Sequence, residues 1–213
     1  MARRCKCLIV DDHPIFRKGI LDLLVQEGAC QTVVEAGHAA AALAAVRREA
    51  WDLVILDVAL PDKHGIEVLK EMKLFRPRTP VLLFSLYPER EFAIRGLKAG
   101  AAGYLTKDCS PQELLSAVEE VTAGRRYITK SLAAHLASFV GQGQPDTPHD
   151  LLSDREMEVL RLFGQGKRPS QIAQDLSLSV KTVSTYRARL LRKLSFHTTA
   201  QLVRYAIEHQ LTI

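Results

Sequence analysis

Four charged residues in the first half of the chain stand where buried strands would end. Leu8-Ile9-Val10 runs into Asp11-Asp12, Leu53-Val54-Ile55-Leu56 into Asp57, and Gly103-Tyr104-Leu105-Thr106 into Lys107. Short apolar runs bounded by polar residues read as strands buried on both faces, as in parallel sheets. Open parallel sheets bind ligands outside the carboxyl ends of their strands, so these acids and this base should meet. Clustered carboxylates repel one another at neutral pH and demand a cation or a raised pKa. Magnesium suits them, because it takes one or two carboxylates together with waters and phosphate oxygens. Lys107 offers a point charge for a phosphoryl oxygen. Asp57, as a carboxylate, can itself accept a phosphoryl group. The residue types together imply an aspartyl phosphate on Asp57.

The elements that must position these groups alternate up to about residue 124. Strand-like Cys7 to Val10 leads to a helix over Pro14 to Gln26, strand-like Thr32 to Glu35 to an alanine-rich helix over His38 to Arg48, and the strand ending at Asp57 to a helix near Ile66 to Phe75. Val81 to Ser85 precedes a helix near Arg90 to Ala99, and Gly103 to Leu105 precedes one near Pro111 to Ala123. Five strands alternating with five helices predict a doubly wound five-stranded parallel sheet, with right-handed crossovers placing helices on both faces. Residues Gly141 to Asp150 hold two glycines, two prolines and no aliphatic side chain, the composition of a linker. A short helix is expected before it, over Ser131 to Val140. Beyond it the pattern is helical throughout: Asp154 to Gly164, Ser170 to Leu176, Val180 to Leu194 and Thr199 to His209. Ser153 with Glu156 forms a capping box, and Ser179 can cap the third of these helices. The expected domains are therefore 1–124, a short helix and linker over 125–150, and 151–213.

A chain of 213 residues with 47% hydrophobic and 25% charged residues is a globular protein with room for two cores. No apolar run approaches the roughly 20 residues of a membrane span. Behind the basic start only Leu8 to Val10 is apolar, too little for a signal peptide, so the expected location is the bacterial cytoplasm without membrane association. Cys5, Cys7, Cys30 and Cys109 fit no zinc or redox spacing and read as small thiols in a reducing compartment. Charge is divided unevenly. Residues 1 to 124 carry 16 cationic and 17 acidic residues, whereas residues 151 to 213 carry 10 and 5.

The excess lies in Lys181, Arg187, Arg189, Arg192 and Lys193, a stretch without an acid and a footprint suited to nucleic acid. The segments Ser170 to Leu176 and Val180 to Leu194, joined by three residues, have the spacing of a helix-turn-helix. On a helical wheel Val180, Val183, Leu190, Leu191 and Leu194 share a face that should pack with Leu160, Ile172, Leu176 and Leu202. Lys181, Ser184, Thr185 and Ala188 face outward and are candidates for base edges in the major groove of double-stranded DNA. Arg189, Arg192 and Lys193, with the hydroxyls of Ser179 and Thr182, suit phosphates. Arg187 falls on the inner side, where its stem packs and its head reaches the backbone. Leu202, Val203, Ala206 and Ile207 on the last helix present more apolar surface than one small domain needs, which suggests a dimer contact.

Residues 3 to 123 resemble the receiver domain of bacterial response regulators, through Asp11-Asp12, Asp57 followed by Pro61 and Gly65, Ser85 after a fourth apolar strand, and Tyr104-Leu105-Thr106-Lys107. Residues 151 to 210 are similar to the LuxR-type domain, through Leu152-Ser-x-Arg-Glu-x-Glu-Val-Leu160, Lys181-Thr-Val183 and Leu190-Leu-x-Lys-Leu194. The two together resemble the NarL/FixJ family. The resemblance implies that a sensor histidine kinase phosphorylates Asp57, and that Mg2+ is held directly by Asp12, Asp57 and the backbone carbonyl of Ala59, with Asp11 acting through water. It further implies that Ser85 binds the phosphoryl group, that Lys107 pairs with it and that Tyr104 is an aromatic switch. A non-enzymatic transcription regulator that dimerises when phosphorylated and contacts RNA polymerase follows. Three positions depart from the pattern: His64 in the Leu60 to Gly65 loop, read as a solvated histidine; Pro169 at the start of the second helix; and Ser195-Phe196 where glycine-valine is usual.

Two other readings remain open at this level. A small phosphatase could use Asp57 as its phosphoenzyme nucleophile, but Ala59 stands where its acid would be needed. Alternatively, a partner rather than phosphate sets the state of the first domain, and the basic helix only anchors it.

Overall fold

The computed structural model describes residues 5–87, 89–134, 148–209 and 211–212. The chain divides into two compact units, Met1–Leu136 and Ala137–Ile213.

The first unit is a five-stranded parallel sheet in the order β2-β1-β3-β4-β5, built from β1 (Lys6–Val10), β2 (Thr32–Ala36), β3 (Leu53–Asp57), β4 (Val81–Ser85) and β5 (Gly103–Thr106). Between and after them lie α1 (Pro14–Gln26), α2 (Ala39–Arg48), α3 (Gly65–Phe75), α4 (Glu89–Lys98) and α5 (Pro111–Thr122). The central strands β3 and β4 are buried along their whole length, which is why they read as unbroken apolar runs, whereas the edge strand β2 is partly exposed. Side chains alternate across the sheet. Cys7, Ile9, Leu53, Ile55, Leu82, Phe84 and Leu105 join one cluster with Ile20 and Leu24 of α1 and with Leu114, Ala117, Val118 and Val121 of α5. On the opposite face α4 approaches so closely that a Cβ at Gly96 would lie 2.3 Å from Leu83 Cδ1.

Local signals fix the helix starts that bring chemistry to the sheet's carboxyl edge. Pro14 and Pro111 occupy the first turns of α1 and α5, where proline's fixed φ and missing N–H cost nothing. Ser110 and Glu113 complete a capping box on α5. Asp62, from the loop after β3, accepts the Ala39 and Ala40 N–H groups at the start of α2. After α5 the chain returns to the edge strand: the Tyr127 N–H donates to the Ala102 carbonyl, Thr129 Oγ1 donates to Glu89 at the start of α4, and Leu132 is buried. Of the helix expected over Ser131 to Val140, residues 131–134 are helical; the remainder, like the linker up to 147, lies outside the described residues.

In the second unit a 3-10 turn, Pro148–Leu151, precedes α6 (Asp154–Gly164), α7 (Pro169–Asp175), α8 (Val180–Lys193) and α9 (Thr199–Glu208). Leu160, Ile172, Leu176, Val183, Leu190, Leu194 and Leu202 are buried. The Ser153–Glu156 capping box opens α6 and the Ser179 hydroxyl accepts the Thr182 N–H of α8. Val180, assigned above to the inner face, is instead 50% exposed. It is the first residue of α8, one turn beyond the reach of so small a core. No helix among the described residues is long and apolar enough to cross a membrane.

Candidate functional site

The carboxyl ends of β1, β3, β4 and β5 bring Asp11, Asp57, Ser85 and Lys107 to one edge of the sheet. Lys107 Nζ lies 2.6 Å from Asp11 Oδ2 and 2.6 Å from Asp57 Oδ2, with all three side chains nearly excluded from water. Burial pushes the Asp57 carboxyl up to about 6, with the Lys107 ammonium pulling it down and the Asp11 charge raising it. For Lys107 burial opposes the charged form, but the two carboxylates outweigh it and its pKa is raised. Gly65 opens α3 against this strand end, and a Cβ there would come within 2.1 Å of the Asp57 carbonyl oxygen, so only glycine fits. Asp57 Oδ1 accepts the Ala59 N–H at 3.0 Å, and Ala59 is bridged across the loop to His64.

Donor atoms of Asp11, Asp12, His13 and Asp57 lie within 4.8 Å of one another. Asp11 Oδ2 and Asp12 Oδ1 are shielded from solvent, the first beside the Lys107 ammonium at 2.6 Å and the second 2.8 Å from His13 Nδ1. An oxygen-rich set of this kind fits a hard divalent cation such as Mg2+.

Ser85 is fully buried, and its hydroxyl accepts the Tyr87 N–H at 3.1 Å. Tyr104 is fully buried as well and donates its hydroxyl to the Tyr87 carbonyl at 2.7 Å. The ring therefore lies inward in this structure. His64 corrects an expectation. It is 1% exposed rather than solvated, caps α3 by accepting the Ile66 N–H, and lies 5.6 Å from the Phe92 ring. The tight approach of Gly65 to Asp57 draws the preceding histidine under the loop.

Sequence reasoning passed over three contributors. His13 completes a run of three ligating residue types, Asp11-Asp12-His13, and that run was its available signal. The Phe16 ring lies 5.1 Å from Lys107 Nζ, and Arg17 Nη1 donates to the Asp11 carbonyl at 2.5 Å. Both depend on the placement of α1, which no local pattern reveals.

On α8, Lys181, Ser184, Thr185, Arg187, Ala188, Arg189 and Arg192 are exposed, Thr182 is half-buried and Ser179 is exposed at the cap. Ser184 and Thr185 turn their hydroxyls back to the Val180 and Lys181 carbonyls, and Ser179 Oγ lies 2.8 Å from Thr182 Oγ1. The Arg189 guanidinium lies 5.8 Å from the half-buried Tyr186 ring. Two cations differ from expectation. Arg187 does not point inward; it is exposed and donates from Nη1 to Thr199 Oγ1 at 3.0 Å, because α9 begins beside it. Lys193 is drawn toward α6, with Nζ 2.6 Å from Glu156 Oε2. On α9, Leu202 and Ala206 are buried while Ile207 is 56% exposed.

Comparison with known proteins yields matches along both units. The family described as response regulator receiver domain matches residues 7–119, and the luxR family of bacterial regulatory proteins matches residues 150–206. The response regulator UvrY of Escherichia coli is 33% identical over 205 residues, 96% of this chain and 94% of that protein. The DNA-binding transcriptional activator DevR/DosR of Mycobacterium tuberculosis is 36% identical over 204 residues, 95% of this chain and 94% of that protein. Among solved structures, RcsB of Salmonella enterica, bound to a promoter in the presence of a phosphomimetic, aligns with a TM-score of 0.64 and 27% identity over 95% of this chain and 98% of that one.

Proposed function

Because this chain belongs to the NarL/FixJ family of response regulators, with a receiver domain and a LuxR-type DNA-binding domain, we propose that Asp57 is its phosphoacceptor and that phosphorylation controls its binding to double-stranded DNA. The observation that carries this reading is the Lys107 ammonium held 2.6 Å from both Asp11 and Asp57 at the sheet's carboxyl edge. We assign 1–124 to the receiver, 125–150 to the connection and 151–213 to the DNA-binding domain.

An Asp57 carboxylate oxygen attacks the phosphorus of a phosphohistidine on a sensor kinase; the phosphorus–nitrogen bond breaks as the phosphorus–oxygen bond forms, and the imidazole departs. Asp11, Asp12, Asp57 and the Ala59 carbonyl would hold Mg2+, which when bound would supply positive charge to the phosphoryl oxygens. Lys107 pairs with the new group, which adds roughly −1.5 to −2 charges. Recruiting the Ser85 hydroxyl to the phosphoryl oxygens removes it from the Tyr87 N–H it now accepts. Tyr87 holds the Tyr104 hydroxyl, and the same segment leads into Glu89, which binds Thr129 on the path to the second domain. A rearrangement at Asp57 thus has a short covalent and hydrogen-bonded route to the connection. To move the population from 1:99 to 99:1 it must supply about 5.5 kcal/mol of differential stabilisation.

In the phosphorylated state two chains dimerise and read half-sites about 10 base pairs apart. Lys181, Ser184, Thr185 and Ala188 meet base edges, while Ser179, Thr182, Arg187, Arg189 and Arg192 border the phosphates and Lys193 stays with Glu156. The chain acts in the cytoplasm, contacts RNA polymerase at its promoters and is a regulator, not an enzyme. Band-shift titrations of wild type and Asp57→Ala, each with and without a small phosphodonor, test the reading. Phosphodonor should tighten DNA binding of the wild type alone; equal enhancement in both would overturn it.

A further inference from the structure

We propose that His13 is a direct ligand of the cation site beside Asp57, and that its nitrogen makes this site favour transition-metal divalent cations such as Mn2+ and Ni2+ over Mg2+. The inference rests on the reading of that site as the cation site of a phosphoacceptor.

Its geometry is already assembled. His13 Nδ1 lies 2.8 Å from Asp12 Oδ1 and 3.1 Å from Asp11 Oδ1, and the His13 N–H donates to Asp11 Oδ1 at 2.8 Å. In an octahedral site with bonds of about 2.1 Å, neighbouring ligand atoms are separated by about 3 Å and opposite ones by about 4.2 Å. The two separations of His13 Nδ1 from carboxylate oxygens match the first figure, and one donor atom from each of the four residues lies within 4.8 Å of the others.

Asp11 divides its oxygens. Oδ2 faces Lys107, while Oδ1 faces the histidine, so a cation can share Oδ1 with the ring without displacing the ammonium. The His13 ring is not engaged in helix capping: the residue stands at the amino-terminal cap of α1, yet its side chain makes no capping hydrogen bond. The imidazole is also 58% exposed, so an ion can reach it from solvent, whereas Asp11 and Asp57 are each only 2% exposed.

Hard Mg2+ prefers an all-oxygen shell and gains little from an imidazole, whereas affinity for nitrogen rises from Mn2+ to Ni2+. One nitrogen among oxygens therefore shifts the order of preference without abolishing the site. The same distances would also suit N–H···O bonds from the ring to the two carboxylates. In that case His13 would only position the acids, and its removal would weaken every cation to the same degree.

Calorimetric titration of the full chain with Mg2+, Mn2+ and Ni2+, for wild type and His13→Ala, separates these outcomes, with Mg2+ competition identifying the shared site. Ni2+ and Mn2+ affinity at that site should fall at least about tenfold in the variant, with Mg2+ affinity within about twofold. Spin-echo spectra of bound Mn2+ should show nitrogen modulation in the wild type that is absent in His13→Ala. Equal losses for all three ions, or unchanged Mn2+ and Ni2+ binding, would overturn the role of His13 and leave the phosphoacceptor site standing. A wild type that binds none of the ions would overturn both readings.

Discussion

The receiver site and the recognition helix concentrate charge in opposite ways. Asp11, Asp57 and Lys107 come from three strands and are almost fully buried, so each charge exists only because the others neutralise it. The cations of α8 come from one continuous helix, and most face water. Charge in the first region is therefore coupled to folding, while in the second it is coupled to a partner. Substituting a charge should accordingly change stability and its pH dependence in the receiver, and salt-dependent affinity in the DNA-binding domain.

Lys107→Ala should give the largest effect. Removing one partner of a buried ionic group typically costs about 3–5 kcal/mol, because the remaining charges lose their compensation. Here the cost should depend on pH with a definite sign. Asp57 sits at about 6 in the folded chain, above its ordinary 3.8, so the folded state binds its proton more tightly than the unfolded state does. Its contribution is unfavourable above the folded value and vanishes below the unfolded one, so stability from this group falls as pH rises between them. Loss of the ammonium raises Asp57 further and widens that window. Urea unfolding should show the variant several kcal/mol less stable than wild type at about pH 8 and nearly equal to it at about pH 4. A deficit independent of pH would break the contrast, since it would mean that Lys107 acts by packing alone.

The contrast also explains what the sequence made legible. Asp11, Asp12, Asp57, Ser85 and Lys107 could be assigned to one site because a parallel sheet leaves strand ends only one edge at which to meet. His64 could not be placed, because its burial depends on the close approach of Gly65 to the Asp57 backbone. On α8 the wheel separated Val183 and Leu190 from Lys181 and Ser184, yet misplaced Val180 and Arg187. Periodicity gives the direction of a side chain but not where a small core stops. Nor does it reveal that α9 begins next to Arg187 or that α6 presents Glu156 to Lys193.

That last contact sharpens the comparison within one helix. Arg192 and Lys193 are adjacent cations, but Lys193 already pairs with Glu156 while the Arg192 side chain is exposed. Binding that neutralises a phosphate releases counterions, and one lost phosphate contact reduces the salt slope by about 1. Arg192→Ala should lower the slope by about that much without altering stability. Lys193→Ala should leave the slope nearly unchanged and cost about 1 kcal/mol of stability, since Lys193 is partly exposed and the buried Glu156 keeps the Ser153 N–H as a donor. The opposite pattern, measured by anisotropy across a salt series, would show that Lys193 leaves Glu156 for DNA and that the two regions are less distinct than their structures.

The smallest predicted effect concerns backbone rather than charge, and it too divides the two units. Left-handed positions in the first are glycines, including Gly28 at φ 66°, Gly100 at 98° and Gly124 at 81°, while the second also uses Ser177 at 52° and Ser195 at 57°. Ser195 ends α8, where the Phe196 N–H returns to the Leu191 carbonyl, an arrangement that favours glycine. A side chain in this conformation costs about 1–2 kcal/mol, partly offset by the greater freedom of glycine in the unfolded chain. Ser195→Gly should therefore stabilise the chain by about 0.5–1 kcal/mol. Gly28→Ala is the mirror experiment: a Cβ there meets nothing within 4 Å, so conformational strain is its main cost. It should destabilise by about the same amount that Ser195→Gly gains. Chemical unfolding of both variants decides the matter; a destabilising Ser195→Gly would mean that the serine side chain contributes more than its backbone strain costs.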